Sequence, residues 1–354
     1  MSIGTQILTE ILIGLGACVI LTACGRTEAE GETAASQMIA LQTTETQMTE
    51  SVAEEPVMET ENYFTENSKV MDVIKDPVFG DYGRLIFPAD IAIPTDLELK
   101  DVEEILPWYS EVNPEKTVEI VNYLKTHAEN GEQIFYDIYS VAEKEADPEK
   151  ENTGLFFFRG DPGAKVGIVN AGGAFVYVAA MHDSFPQALE LSKNGYNGFA
   201  LIYRPGADSA CEDLARAIAF LHENAEELQI DMTDYSLWGG SAGARMAAWL
   251  GSYGTEYFGE AEYPRPATVV MQYTGLSSVT GAESPTYACV GTSDYIASYQ
   301  SMQQYISRIK SNGTNAEVEV FTGLSHGFGL GEGTAAEGWI NRAIEFWQEN
   351  MTDM

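Results

Sequence analysis

Tyr235-Ser236-Leu237-Trp238-Gly239-Gly240-Ser241-Ala242-Gly243-Ala244 reads as a short apolar strand, a sharp turn with Ser241 at its apex, and a helix starting at Ala242. The G-x-S-x-G spacing has a mechanical reason. Where a strand folds straight back onto a helix, side chains two residues either side of the apex would clash, and glycine removes them. The turn pushes the serine hydroxyl out above the sheet and aims the Ala242 N–H at the same spot. The helix start beneath it adds partial positive charge where an oxyanion would develop. A glycine-rich turn with an incidental serine would show the same pattern, so the rest of the chain has to supply the partners of a nucleophile.

Outward from this turn, short apolar runs alternate with helical periods. Strands are expected at 155–158, 166–170, 198–203, 235–238, 268–273, 286–290 and 318–321, and helices at 185–194, 210–228, 242–251, 298–311 and 334–350. This alternation predicts an α/β fold, a mostly parallel central sheet with helices on both faces. In such sheets functional groups gather at the carboxyl ends of the strands. Residues 131–354 are expected to form this domain, with 67–130 as an N-terminal extension packed on it. Within the extension, Asn113-Pro114-Glu115 supplies an N-cap, a proline at the first helical position and an acid in the first turn. Residues 134–142 alternate apolar and polar, which predicts an exposed antiparallel strand.

The N-terminus has a different character. Residues 11–23 form an apolar run shorter than the roughly 20 residues a membrane span needs. It ends in Leu21-Thr22-Ala23-Cys24-Gly25, which resembles the lipobox of bacterial lipoproteins, with residues 1–23 removed and lipid on Cys24. Met1 to Glu10 departs from a signal pattern in having no Lys or Arg. Residues 24–66 follow as an expected disordered tether: from Gly25 to Glu66 there are ten Glu and one Arg, and too little apolar surface to offset ordering. These features predict a domain outside the cytoplasmic membrane, touching it only through the anchor at Cys24; a plain cleaved signal, which would leave the protein secreted, and an uncleaved anchor are the alternatives. The whole chain of 354 residues carries a formal charge of −35, which speaks against a nucleic-acid partner and against electrostatic attachment to anionic lipid. Cys211 and Cys289 stand alone in apolar contexts and read as buried thiols, and no Cys or His spacing of a metal site appears.

A serine nucleophile needs a base, and the chain has four histidines. His127 and His222 sit in helical stretches as ordinary surface residues, and His182 precedes the serine near a glycine loop. His326 lies in Gly323-Leu324-Ser325-His326-Gly327-Phe328-Gly329, a loop leaving the last strand, and is the expected base. Asp294 follows the 286–290 strand through Gly291-Thr292-Ser293, where it can orient the imidazole or cap the next helix. Glu283 is the alternative acid. Ala171-Gly172-Gly173-Ala174-Phe175 leaves the 166–170 strand, either as a tight turn or as oxyanion donors from Gly172, Gly173 and Ala174 paired with the Ala242 N–H.

Together these residues resemble the α/β-hydrolase superfamily, in particular its acetyl-esterase, hormone-sensitive-lipase-like and xylan-esterase branch, from about Thr153 onward. The branch's H-G-G-G-F-like loop appears as Ala171-Gly172-Gly173-Ala174-Phe175, with alanines replacing a histidine and a glycine. Its D-Y-R strand end corresponds to Ile202-Tyr203-Arg204, its E-D helix start to Glu212-Asp213, and its G-x-S-A-G-G to Gly239-Gly240-Ser241-Ala242-Gly243-Ala244. The resemblance implies a Ser-His-Asp serine carboxylesterase acting on acylated carbohydrates or other small esters, without metal or organic cofactor. It makes Arg204 and Asp213 structural. Two other readings stay open. A peptidase on the same scaffold would usually bring a larger accessory domain than 67–130. A binding lipoprotein with an inert hydrolase fold is opposed by the three filled triad positions.

Overall fold

A computed structural model describes residues 63–352. The expected signal peptide, the Cys24 lipidation site and all but the last four residues of the expected tether lie outside the described residues. From Phe64 onward the chain forms one compact unit.

Eight strands make a single sheet in the order β1-β2-β4-β3-β5-β6-β7-β8: β1 Phe135–Tyr136, β2 Gly154–Phe158, β3 Lys165–Asn170, β4 Asn197–Ile202, β5 Asp231–Gly240, β6 Thr268–Gln272, β7 Thr286–Gly291 and β8 Ala316–Phe321. β2 pairs antiparallel with β1 and β4, and every pair from β4 to β8 is parallel. β4, β6 and β7 are buried along their whole length, as parallel strands covered on both faces must be, and antiparallel β2 is buried throughout as well. That is why they read as unbroken apolar runs. Phe157 of β2 stacks on Phe199 of β4 at 4.0 Å between ring centroids, and Phe156 and Phe158 flank Phe185 of a covering helix.

The principal helices are α1 Pro114–Glu129, α2 Phe185–Lys193, α3 Ala207–Glu223, α4 Ala242–Tyr253, α5 Tyr299–Ser311 and α6 Trp339–Glu349. α1 begins as its sequence dictates: the Asn113 side chain accepts the N–H groups of Glu115 and Lys116, with Pro114 at the first helical position. The extension contributes Val70, Val73, Phe79, Leu99, Ile120, Val121 and Leu124 to the same core as the sheet, each with no exposed surface. Packing on this core includes residues before 67. Phe64 packs on this core, and its backbone N–H and C=O both bond the Asn122 side chain at 2.9 Å.

Three expected elements differ. In 134–142 only Phe135 and Tyr136 pair as strand, because Ser140 and Glu143 form a reciprocal capping box that starts a helix at Val141. The 210–228 helix begins at Ala207 and breaks at Asn224, whose amide nitrogen bonds the Phe220 carbonyl. The last helix starts at Trp339 rather than at residue 334, since Gly338 before it is left-handed (φ 75°) and Thr334 is taken up in a turn with Gly331. Cys211 and Cys289 are buried free thiols.

Candidate active site

β5 ends at Gly240, and Ser241 follows with φ 51° and ψ −113°, a conformation that a residue with a side chain seldom adopts. The surrounding glycines show what the turn demands. A Cβ on Gly239 would stand 2.5 Å from the Gly243 carbonyl oxygen, and one on Gly243 would stand 2.6 Å from that of Ala171. The close approach of α4 to β5 requires glycine at 239, and its approach to the end of β3 requires glycine at 243. The Ser241 N–H is anchored on the Gln272 carbonyl of β6 at 3.0 Å, and its side chain is left half-buried at the carboxyl end of the sheet.

The structure brings Ser241, His326 and Asp294 together. Ser241 Oγ lies 3.1 Å from His326 Nε2, and His326 Nδ1 lies 2.8 Å from Asp294 Oδ2. These two bonds call for the tautomer with its proton on Nδ1, leaving Nε2 to accept from the hydroxyl. The Asp294 side chain is fully buried and that of His326 nearly so. Asp294 does not cap the next helix, which Ser298 does: its Oδ2 meets the histidine, while Oδ1 accepts the N–H groups of Ile296 and Ala297 at 2.8 and 2.7 Å in the turn before that helix. Glu283, the alternative acid, is spent elsewhere, its carboxylate closing a turn on the amides of Thr280 and Gly281 before β7.

The loops carrying acid and base are laced to each other and to the extension. Thr292 and Ser293 donate to the Phe321 and Leu324 carbonyls at 2.9 and 3.0 Å. Ser110 of the extension donates its N–H to the Gly327 carbonyl and its hydroxyl to the His326 carbonyl. His182 does not reach the serine. Its Nε2 lies 2.8 Å from the Gly327 carbonyl, so the ring clamps the histidine loop from behind. Burial pushes this imidazole down to about 4, so that it stays neutral and donates that proton. His127 is partly exposed beside Glu132, whereas His222 is no free surface residue, being stacked on Tyr263 at 5.0 Å.

The glycine loop passes directly beside the serine, since a Cβ on Gly172 would stand 2.8 Å from Ser241 Cβ. Gly172 itself is not available as an oxyanion donor: its N–H is committed to the Asp183 carboxylate at 2.7 Å. Among the described residues no protein group accepts from the Gly173, Ala174 or Ala242 amides, so these three expected donors remain free. The loop turns through positive φ at Gly173, Ala174 and Phe175 (122°, 54° and 59°), which lifts its peptide planes out of the strand direction. Asp183 belongs to this loop's surroundings, yet nothing in the local sequence pattern marks it, although its neighbour His182 is a titratable group near the loop. Arg204 and Asp213 lie away from this constellation, joined by bonds of the guanidinium and of the Arg204 N–H to the buried carboxylate.

A half-buried hydroxyl, an imidazole, a carboxylate and free backbone amides at the carboxyl end of a parallel sheet can together carry out nucleophilic acyl transfer. The architecture is the α/β-hydrolase fold, with the serine on the strand-to-helix turn and the chain order Ser, Asp, His. The family model BD-FAE matches residues 160–300, less than half of the chain. Among solved structures, a thermophilic esterase of the Planctomycetes species Thermogutta terrifontis, with propionate bound, is similar at 20% identity and a TM-score of 0.50, over 57% of this chain and 92% of that one. MGS-M1, an alpha/beta hydrolase enzyme from a Medee basin deep-sea metagenome library, aligns at 18% identity and a TM-score of 0.48, over 56% and 92%. A sugar hydrolase (YeeB) from Lactococcus lactis aligns at 19% and 0.48, over 56% and 94%. No curated protein sequence matches the chain.

Proposed function

We propose that this protein is an extracytoplasmic serine carboxylesterase that hydrolyses small acyl esters, acylated carbohydrates among them. The observation that carries the reading is the unbroken relay from Ser241 Oγ through His326 to Asp294, with bonds of 3.1 and 2.8 Å. Ser241 attacks the ester carbonyl while its proton passes to His326 Nε2. Asp294 holds the resulting imidazolium in place and stays ionised. The tetrahedral oxyanion takes hydrogen bonds from the Gly173 and Ala242 amides. Collapse breaks the ester C–O bond, and His326 gives its proton to the departing alcohol. Water then attacks the acyl-enzyme by the same route, with His326 as base, and releases the acid. The resemblance to the acetyl-esterase branch supports the substrate class, and the lipobox-like Leu21-Thr22-Ala23-Cys24 supports the location.

Treatment of the intact chain with a fluorophosphonate should add one phosphonyl group at Ser241, located by peptide mass spectrometry. Acetyl, butyryl, octanoyl and feruloyl esters compared at equal concentration then rank the acyl groups. An unlabelled Ser241 with no turnover of any of these esters would sink the proposal.

A further inference from the structure

Asp183 is a fully buried carboxylate with no cationic partner among the described residues. It sits at the meeting point of three segments that flank Ser241. Oδ2 accepts the Gly172 N–H at 2.7 Å from the glycine loop after β3, and the Tyr109 hydroxyl at 3.1 Å from the extension. Oδ1 accepts the hydroxyl of Tyr273, at the end of β6. The Tyr273 ring in turn meets His326 edge-on at 5.0 Å between centroids. The space between carboxylate and nucleophile is small: a Cβ on Gly172 would lie 2.9 Å from Asp183 Oδ2 and 2.8 Å from Ser241 Cβ. A Cβ on Gly240, immediately before the nucleophile, would stand 2.5 Å from the same carboxylate oxygen.

Burying a carboxylate without a cation is costly, and here it is tolerated because three donors face it. A negative charge this close to the serine also opposes a developing oxyanion, so its benefit has to be geometric. A carboxylate grips an amide N–H more tightly than a neutral acceptor does, because the hydrogen bond is charge-assisted. The grip falls on Gly172, one residue before the free amide of Gly173. Fixing one peptide plane by its N–H restricts the next, and here the next starts a run of positive φ that glycine permits at 173 but that Ala174 and Phe175 do not favour.

We propose that Asp183 is the positioning residue of the oxyanion loop: by holding the Gly172 N–H it sets the orientation in which the Gly173 amide meets the ester oxygen. Tyr109 and Tyr273 fix the carboxylate in turn, so the extension and the end of β6 help to set the same geometry. This role rests on the esterase reading of the site.

The test compares Asp183→Ala and Asp183→Asn with the unaltered full chain, using a p-nitrophenyl ester of the best acyl group and active sites titrated with a fluorophosphonate. Misplacing one oxyanion donor costs about 10²-fold in turnover. Asp183→Ala should therefore lower kcat per titrated site by about 10²-fold with KM within about threefold, and weaken inhibition by a trifluoromethyl ketone in parallel. Asp183→Asn keeps the volume and one carbonyl oxygen, and should fall between the two, at about tenfold. A role in folding alone would lower the titratable fraction and leave the rate per site unchanged. If Asp183→Ala does not fold, Asp183→Asn decides: a loss of about fivefold or more per site upholds the assignment, and a smaller loss, or one confined to KM, overturns it. Failure of the esterase reading is recognised separately, because the unaltered chain would then neither label at Ser241 nor turn over the ester.

Discussion

Asp294 shares its carboxylate between two tasks, giving Oδ2 to His326 at 2.8 Å and Oδ1 to the amides of Ile296 and Ala297. The second task explains how the first is held in place. Two backbone N–H groups fix the carboxylate plane, so the oxygen facing the imidazole has little freedom to swing away.

Replacing Asp294 with asparagine should keep the Oδ1 bonds and the fold while presenting an amide donor to Nδ1. The imidazole then favours the wrong tautomer, and kcat should fall on the order of 10⁴-fold with little change in melting temperature. Glu283→Gln, at the turn before β7, should leave kcat unaltered. Steady-state kinetics on both variants at matched stability checks the assignment, and a crippled Glu283→Gln with an active Asp294→Asn would reverse it.

Gly243→Ala should be among the most damaging single-methyl changes in the molecule. The added Cβ would meet the backbone carbonyls of Asn170 and Ala171, and neither can turn aside as a side chain could. Relief requires α4 to move off β3, and with it Ser241. We expect a loss of at least about 3 kcal/mol in denaturant unfolding together with loss of fluorophosphonate labelling. A variant that unfolds with its parent would mean that the turn is more pliable than its contacts imply.

Residues 67–130 should prove inseparable from the domain. Val70, Phe79, Leu99 and Ile120 are fully buried in the common core, and Tyr109 and Ser110 reach the loops on either side of the serine. A chain starting at residue 131 should bind a hydrophobic dye and lose its cooperative melt, because removing the extension strips cover from β2 and its neighbours. A chain starting at Tyr63, which keeps the Phe64–Asn122 pair, should melt like the full-length protein. A cooperative, active fragment from residue 131 would contradict this.

The strands of the parallel sheet and the three residues of the relay could be read from the sequence, because each carries a local signature. Ser241 has its glycine-flanked turn, His326 its glycine loop after a strand, and Asp294 its place just past β7. What escaped was non-local. The Tyr109–Asp183 and Tyr273–Asp183 bonds join residues 74 and 90 positions apart, and no spacing rule announces such a meeting. For the same reason Gly172 looked like a donor: its flexibility was legible, but the carboxylate that takes up its N–H was not. The 134–142 misreading differs in kind. The Ser140–Glu143 capping box was present in the sequence, but the alternation of apolar residues masked it.

His182 and Asp183 are adjacent and buried, and they should pull stability in opposite directions on acidification. Burial pushes the His182 imidazole down to about 4, against hydrogen bonds to backbone carbonyls that favour the proton. The unfolded chain takes up that proton as pH falls through about 6.5 and the folded chain only near 4, so this contribution is complete above 6.5 and is lost across the interval. Burial pushes Asp183 up to about 6, which gives a contribution that is complete below the ordinary carboxylate range and is lost as pH rises to 6. Between pH 4 and 6 the two slopes oppose each other. His182→Gln, which can still donate to the Gly327 carbonyl, removes only the histidine slope. The stability gap between the parent and this variant should therefore narrow by about 2–3 kcal/mol from pH 7 to pH 4.5, read from denaturant unfolding at each pH. A gap that does not change with pH would mean that His182 titrates alike in the folded and unfolded chain, and that the clamp on Gly327 does not depend on a neutral ring.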